Sequence, residues 1–598
     1  MKRSNHRNDR FLRGALLVVL LAAGVGGAAQ SAATDPMQLV PAESLFCVRI
    51  NNFNGTLSQL DQFLTGISPI GTSMMAMGQI AAMLGGAEPS GLDLSGTFTA
   101  FGPLPGGEGP DPSRIGVLVP LSDYQKFVTE NPNVTKPDAQ GISLIGPEGE
   151  QEFAAVKAGA FALVTAAGNK EALTEAKNWI PRGSAALAQR IGADELKRAQ
   201  SSPAWAYANI ETVSKMFGPM IQAKIQEIKG VSKQMQAQGG PSMMGRMDGI
   251  MEMYASLLDT LMKETQSVSL TLTPSTNAIN AGLVVAALPN TEMAKNLKGG
   301  AASPDRSFAR YFQNGAIANF TASVDTPTWS RFNEMYMGML ATMMGKSPTD
   351  PEILQLKKLA TDGTNAIGGT LAGSFSVDTT SKPPVAVRYV VGLKDPQAFY
   401  RVLDESTRLF STGAVADFYK DMGLKMSFEI QRKAETYQGI AIDAIKMSFA
   451  ATDPNSQEAQ MIAAMYGQGM NLRIAVVNNL LVYAFAGNSS QVVRELIDQV
   501  KAGASASQSA TEVDAAMKLI PGAEKADFFT TLNLLRAFQM VTAMVPMPMQ
   551  APAVQSQSSI ALAGNVDGGK LSIELAVPKQ HVMEIMTTFM KMQQQGQN

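Results

Sequence analysis

Short apolar segments alternate with turn signals along most of this chain, and two of its earliest elements recur at a fixed distance. Residues 45–50 predict a strand, and a set at helical spacing follows it, formed by Leu57, Leu60, Phe63 and Leu64. Residues 317–322 repeat the strand 272 positions later. The helical set recurs at the same offset as Trp329, Phe332, Met335 and Tyr336. The pattern therefore predicts that one arrangement of elements occurs twice.

Further features recur in the same order in the two halves. At the same offset, they are the alternating strand of Ile115, Val117 and Val119 with Val387, Tyr389 and Val391, and the pair Asp123 and Phe127 with Asp395 and Phe399. At other offsets, they are residues 161–164 with 481–484 and residues 204–210 with 526–532. Changing offsets are expected if the loops of the two copies changed length independently.

These segments predict an α+β protein, built by tandem duplication of a unit rich in βα and ββα steps. The many hairpins and the alternating strands predict antiparallel sheets with helices packed on one face. The first α+β half is expected at residues 34–298 and the second at 305–598. The linker between them is expected at residues 299–304, which are rich in glycine, alanine and serine.

Residues 1–33 have the pattern of a signal peptide. Basic residues precede an apolar run at 14–29, which is shorter than the roughly 20 residues that a spanning helix needs. The small residues Ala29, Ser31 and Ala33 predict cleavage after Ser31 or Ala33. An uncleaved N-terminal anchor is the alternative. We therefore expect a periplasmic or secreted protein with no spanning segment after cleavage.

The start of the mature chain also carries a resemblance. Residues 40–48 read Val-Pro-Ala-Glu-Ser-Leu-Phe-Cys-Val, and residues 121–124 mark a later strand-to-helix step. This pattern resembles a group of bacterial exported proteins catalogued only as a domain of unknown function. The resemblance implies export and internal repetition, and it implies no catalytic residue.

Composition narrows the classes of partner. Charged residues make up 17% of the chain and the formal net charge is −2, whereas about 25% charged residues is typical. Neither nucleic acid nor an anionic membrane surface is therefore a predicted partner. Cys47 is the only cysteine, so no disulfide can form within the chain. Its apolar strand neighbours predict a buried, unreactive thiol.

Residues suited to catalysis are scarce. His6 lies in the predicted signal, so the mature chain keeps only His581, which excludes a zinc site built from cysteine and histidine. A Ser-His-acid triad would have to use His581, which we expect at the surface, at the start of the last helix. Glu148, Glu150 and Glu152 could present two carboxylates on one face, as glycosidases require. Beside a Gly-Pro turn, we expect them on a solvated edge instead.

Methionine is the unusual residue type, with 36 in the chain. Four clusters stand out: Met74, Met75, Met77 and Met83; Met243, Met244, Met247, Met251 and Met253; Met335, Met337, Met339, Met343 and Met344; and Met540, Met544, Met547 and Met549. Core or helix packing is the first interpretation. An adaptable apolar surface and a copper(I) site are the others, since thioethers are flexible and soft.

The sequence as a whole predicts an exported, non-enzymatic binding or structural protein of the bacterial cell envelope. Its partner would be an unknown envelope protein or an apolar ligand, and no cofactor is predicted. The alternative is a periplasmic carrier of an apolar ligand or copper through Met-rich helices, with Met243, Met244, Met247 and Met251 as the candidate surface. A third possibility is a hydrolase that uses carboxylates alone, for which no position is preferred.

Overall fold

A computed structural model of the chain describes residues 35–595. The exceptions are residues 87, 105–113, 180–185, 238–246, 300–305, 324–329, 331–332, 335, 339, 342–343, 379–383, 422, 454–468, 504–510 and 545–555. The predicted signal at residues 1–33 lies outside the described residues, as does most of the predicted linker.

The chain divides into two compact units. The first takes the chain up to Pro219 and again Met262–Leu288, and the second takes Met220–Leu261 and all residues from Pro289. The change from one unit to the other near residue 288 lies about ten residues before the predicted linker. Part of a helical hairpin that precedes this point in the chain belongs to the second unit.

The first unit is built on an antiparallel sheet. Its described strands are β1 (Phe46–Ile50), β2 (Phe98–Gly102), β3 (Gly116–Pro120), β4 (Ile142–Ile145), β5 (Phe153–Ala158), β6 (Phe161–Ala166), β7 (Ala204–Ala208), β8 (Thr265–Pro274) and β9 (Ala278–Ala287). They pair in the order β9-β8-β7-β1-β2-β3-β6-β5-β4. β1 therefore lies inside this sheet, between β7 and β2.

Helices connect these strands. They are α1 (Phe53–Leu64), α2 (Thr72–Leu84), α3 (Tyr124–Glu130), α4 (Lys170–Trp179), α5 (Leu187–Arg190), α6 (Ala193–Ser201), α7 (Ile210–Ala237) and α8 (Met247–Glu264). The last two form the helical hairpin that the unit boundary crosses. Asp123 caps the start of α3 by accepting hydrogen bonds from the Gln125 and Lys126 amides.

The second unit also has an antiparallel sheet. Its described strands are β10 (Ala318–Ser323), β11 (Ile367–Val377), β12 (Val385–Leu393), β13 (Leu424–Tyr437), β14 (Ile440–Ala451), β15 (Met470–Val477), β16 (Leu480–Phe485), β17 (Phe528–Leu532), β18 (Ile560–Asp567) and β19 (Lys570–Pro578). They pair in the order β19-β18-β17-β10-β11-β12-β16-β15-β14-β13.

The helices of this unit follow its strands in a similar way. They are α9 (Glu292–Asn296), α10 (Pro351–Ala366), α11 (Pro396–Ser411), α12 (Ala414–Asp421), α13 (Ser489–Ala502), α14 (Thr511–Met517), α15 (Leu534–Met544) and α16 (Lys579–Gln595). The helical set predicted from Trp329, Phe332 and Met335 lies outside the described residues, while Tyr336 is helical.

Tight turns explain why neighbouring strands of the second unit form hairpins. Asn478 and Asn479 join β15 to β16, and both have positive φ angles, of 51° and 59°. Gly568 and Gly569 join β18 to β19 in the same way, with φ angles of 57° and 79°. Two successive residues with positive φ match the right-handed twist of the flanking strands. The sequence therefore favours antiparallel pairing, and the predicted α+β class is confirmed.

Helices cover both faces of the first unit's sheet, which corrects the prediction that they pack on one face. Leu163 of β6 lies in a buried cluster with Leu173 of α4. The next residue, Val164, lies in another cluster with Phe127 of α3. Successive side chains of a strand point to opposite faces, so each face has its own helices. The apolar run at residues 161–164 was the signal, because such runs are typical of doubly covered strands.

The second unit shows the same correction. Val482 of β16 packs in a cluster with Leu496 of α13, whereas the neighbouring Leu481 packs on the other side with Phe399 of α11. One-sided alternation is thus absent from the described inner strands β6 and β16. The helices that pack there remove both faces from water.

Candidate functional site

The candidate methionine surface can be placed only in part. Met243 and Met244 lie outside the described residues. Met247 and Met251 lie in the first turns of α8, as their helical spacing predicted, but their side chains fall outside the described part of the chain. The use of these four residues as a binding surface therefore stays a prediction.

The first methionine cluster is divided between solvent and core. Met74 and Met75 on α2 are 73% and 50% exposed. Met77 packs against the cluster that contains Phe53, and Met83 packs against a second cluster. The four thioethers therefore do not all face one point. In the other clusters, the described side chains Met337, Met344 and Met540 pack against buried cores.

Apolar side chains are exposed on three sets of helices. Besides Met74 and Met75, they include Leu257, Leu258 and Leu261 on α8, and Val541, Met583, Phe589 and Met590 on α15 and α16. Their exposed fractions range from 39% to 73%. Single exposed apolar residues are common, but groups of them on one helix are typical of interaction surfaces. In the described part of the chain, no helix is long and apolar enough to cross a membrane.

His581 is fully buried, which corrects the prediction that it lies on the surface. It does stand at the start of the last helix, α16. Its Nε2 accepts a hydrogen bond of 3.3 Å from the Leu534 amide at the start of α15. On the other side of the ring, Nδ1 lies 3.4 Å from Ser558 Oγ and 3.7 Å from Glu584 Oε2. The ring, at the start of α16, thus contacts the start of α15 and the segment that leads into β18.

This arrangement differs from a catalytic triad in one decisive respect. In a triad, the serine and the acid contact opposite nitrogens of the imidazole. Here both lie beside Nδ1, and Ser558 Oγ also donates to Glu584 at 2.8 Å. Since Nε2 accepts from a backbone amide, Nδ1 carries the proton and the ring has no free base for the serine. Burial lowers the pKa of His581, although the nearby Glu584 opposes this shift.

The other chemical candidates are placed as predicted. Glu148, Glu150 and Glu152 are all exposed, on the loop before β5. Cys47 is buried, and burial raises the pKa of its thiol to about 12, which makes the thiolate scarce at neutral pH. Within the described residues, no group of three or more histidine, cysteine, aspartate and glutamate side chains could hold a metal ion.

A polar cavity lies in the second unit, and nothing in the sequence pattern had pointed to it. Its volume is about 510 Å³. It lies between the ends of β11 and β12 and the first two turns of α13. Its polar lining side chains are Gln313, Ser376, Asp378, Arg388, Asn488 and Glu495. The size is within the range of small-molecule sites in proteins.

Arg388 is the most unusual residue in this lining. It is only 8% exposed, and its Nη2 donates a hydrogen bond of 2.8 Å to Gln499 Oε1. Its Nε is buried without a hydrogen-bond partner among the described residues. Burial lowers the pKa of this guanidinium, and the charge of Glu495 acts in the opposite direction. A buried guanidinium that is not fully satisfied is energetically expensive.

Arg49 is a buried arginine of the same chain that does have a carboxylate partner, although its Nη2 also lacks a hydrogen-bond partner among the described residues. It is fully buried in the first unit, and its Nη1 lies 2.5 Å from Asp35 Oδ1. Its Nε also donates to Asn51 Oδ1 at 2.7 Å. Arg388, by contrast, forms no ion pair with any carboxylate of the described residues. The charge of Glu495 acts on the pKa of Arg388, but these two side chains form no ion pair.

The start of α13 forms another wall of the cavity. Asn488 precedes this helix, but its side chain makes no capping hydrogen bond. The Gly487 amide donates to Asp378 Oδ2 at 3.3 Å. Glu495 is exposed, and it accepts a hydrogen bond of 3.0 Å from Gln491 on the same helix. The cavity therefore combines a buried positive charge with two carboxylates.

Comparisons with known proteins add no assignment, because no protein-family model, no curated protein and no solved structure matches this chain. The resemblance of residues 40–48 to the bacterial exported group therefore stays a prediction.

Proposed function

We propose that this protein is an exported, non-enzymatic binding or structural component of the bacterial cell envelope. Residues 1–33 supply the signal for export, and the mature protein is periplasmic or secreted. It binds an envelope protein through apolar side chains on its helices. The observation that carries this proposal is the exposure of Met74 and Met75 on α2, at 73% and 50%.

The two units are copies of one ancestral α+β unit. Support comes from the strand order, because β9-β8-β7-β1-β2-β3-β6-β5 in the first unit has its counterpart in β19-β18-β17-β10-β11-β12-β16-β15 in the second. Local details agree with this. Asp123 and Asp395 cap the helices that follow the third strand of each copy, each by accepting two amide hydrogen bonds. Shared order and shared caps are both expected after duplication.

The geometry around His581 supports the non-enzymatic part of the proposal. This residue is the only histidine of the mature chain, and its Nε2 is engaged by the Leu534 amide. General-base catalysis needs a nitrogen lone pair within reach of the nucleophile's proton. The buried thiol of Cys47 is equally unsuited to nucleophilic attack.

A protein partner fits the exposed helices better than a small ligand does. Small apolar ligands bind in concave sites that bury most of their surface. Met74 and Met75 instead project from the outside of a helix, and the polar cavity in the second unit has no methionine in its lining. The alternative function, a carrier of an apolar ligand or copper, rests on the second methionine cluster. In the experiment below, it predicts an added mass of lipid size or in copper increments.

We expect native mass spectrometry of the exported protein to show a mature chain beginning at Ala32 or Thr34, in complex with a second polypeptide. Met74→Asp should reduce the fraction in complex by about tenfold, because a charge would then have to be buried in the interface. Gln397→Asp is the matched control, because Gln397 is an exposed polar residue on α11, outside the proposed surface on α2. This control should leave the complex unchanged.

Other masses would contradict specific parts of the proposal. A chain that keeps residues 1–33 in the membrane fraction would favour the uncleaved anchor. Added mass of lipid size, or in copper increments, would favour the carrier. A mature chain that stays free of any polypeptide, or a complex that tolerates Met74→Asp, would rule out binding through α2.

A further inference from the structure

Arg388 sets the chemistry of the cavity in the second unit. This residue is only 8% exposed, yet among the described residues it has one hydrogen bond, to Gln499, and no ion pair. Guanidinium groups in such surroundings normally meet a carboxylate or phosphate, with which they form charge-assisted hydrogen bonds. The cavity beside Arg388 offers the space that such an anion would need.

The start of α13 adds a second preference for negative charge on the same cavity. The helix dipole places partial positive charge at this end of the helix. The Ser489 and Gln491 amides already donate to the Ala486 and Asn488 carbonyls, so the dipole, and not free amides, favours an anion there. Asn488, which stands at this position, does not use its side chain as a cap. Arg388 and the α13 start are independent features, since one lies on β12 and the other follows β16.

The other charges in the cavity lining disfavour a ligand that carries only negative charge. Asp378 and Glu495 both border the cavity, and Glu495 is exposed. Two carboxylates would repel a ligand that carried negative charge alone. They would attract a ligand whose other end carried a positive charge. The wall therefore has one region for an anionic group and one for a cationic group.

We propose that this cavity binds a small zwitterion, an amino acid or a short peptide, whose carboxylate pairs with Arg388 and whose ammonium group faces Glu495. The volume of about 510 Å³ accommodates a molecule of that size. The cavity does not involve the helix α2, so this binding is separate from the partner surface proposed above, and Met74→Asp leaves it unchanged.

The test uses the mature full-length protein and a mixture of the common L-amino acids with L-alanyl-L-alanine. Saturation-transfer NMR identifies which compounds bind, and calorimetry then measures the dissociation constant of the strongest. We expect at least one compound to bind. Arg388→Gln should weaken it by about tenfold or more, because the ligand carboxylate loses its charged partner. N-acetylation of the ligand, or conversion of its carboxylate to an amide, should each cause a similar loss.

Control variants separate loss of binding from loss of the fold. Arg401→Gln removes an arginine from α11 whose side chain is 71% exposed, and it should change the dissociation constant by less than about twofold. Ala386→Leu narrows the cavity while keeping Arg388, and it should also weaken binding. It therefore tests the proposal if Arg388→Gln fails to fold. The proposal is wrong if no compound binds the wild type. It is equally wrong if Arg388→Gln or Ala386→Leu binds normally, or if the N-acetyl ligand binds as well as its parent.

Discussion

His581 illustrates how burial decides the role of a single residue. Its ring connects the Leu534 amide, 47 positions away, with Ser558 and Glu584. The neutral ring satisfies these groups, whereas a second proton on Nε2 would place two donors against each other. Burial therefore lowers the pKa of His581, and the protonated form belongs to the unfolded chain.

This predicts a stability change confined to a clear pH window. As pH falls through about 6.5, the unfolded chain takes up a proton on His581 before the folded chain does, because the pKa is lowered in the folded state; stability therefore falls with pH until the folded ring is protonated too. The slope is at most about 1.4 kcal/mol per pH unit. The measurement is hydrogen exchange of peptides from β18 and α16 across this range. His581→Gln, which keeps an acceptor but cannot titrate, should lose the slope.

No other histidine is expected to titrate in this pH range, because His6, the other one in the sequence, lies in the predicted signal peptide. Carboxylates such as Glu584, whose pKa is lowered by hydrogen bonds from Ser556 and Ser558 despite burial, act at more acid pH. Equal pH slopes in wild type and His581→Gln would show that the ring is protonated when folded, against the hydrogen bond from Leu534.

Single residues could be predicted from the sequence where their surroundings are local. Cys47 lies inside an apolar strand, and its burial follows from its neighbours. Arg388 could not be assigned, because Gln499, which accepts its hydrogen bond, is 111 positions away. The available signal was a charged residue within the apolar strand sequence of β12, which is unusual enough to mark a buried charge.

At the scale of elements, two asparagines at helix starts show how the sheets position their helices. Asn209 and Asn533 are both fully buried. Asn209 follows β7, which pairs with β1, and Asn533 follows β17, which pairs with β10; each side chain accepts a hydrogen bond from the backbone amide three residues later. The backbone amide of Asn209 donates to the Leu45 carbonyl, and that of Asn533 donates to the Ile317 carbonyl. Each asparagine thus fixes a helix to the neighbouring strand.

Asn533→Ala should destabilise the second unit by about 2 to 3 kcal/mol, since it removes a cap and leaves buried groups unsatisfied. Its Nδ2 donates to Ser556 Oγ at 2.7 Å and to the Ser558 carbonyl at 2.8 Å. The measurement is urea unfolding. Asn488→Ala is the matched control, because Asn488 also precedes a helix but makes no capping bond. It should cost about 0.5 kcal/mol or less, and equal losses would refute the capping argument.

The same asparagines show where sequence matching reached its limit. Sequence comparison aligned residues 204–210 with 526–532. The pairing instead places Ala204 opposite Ile50 and Phe528 opposite Ala322, a shift of two residues. Element order is strongly encoded by apolar periodicity, whereas register depends on partners that are distant in the chain. The prediction that helices pack on one face was wrong for a related reason. It relied on strands in which apolar and polar residues alternate, and gave less weight to the continuous apolar runs of other strands.

At the scale of the whole molecule, each unit has its own cores. In the first, β5 and β6 contribute to one cluster with α4 and to another with α3. In the second, β16 contributes to one with α13 and to another with α11. A unit that buries both faces of its own sheet has the main requirement for folding alone.

We expect the two predicted halves, residues 34–298 and residues 305–598, to fold as separate polypeptides, because each keeps every described strand of one unit's sheet. Each should give a circular dichroism spectrum of mixed helix and strand, and a cooperative urea transition. The control is residues 34–203, which ends before β7 and so removes one of the two neighbours of β1. Without β7, β8 and β9, this fragment should unfold without a cooperative transition, because β1 becomes an edge strand with an open ladder. A cooperative urea transition in this control, or a non-cooperative transition in either half, would show that the units are not independent copies.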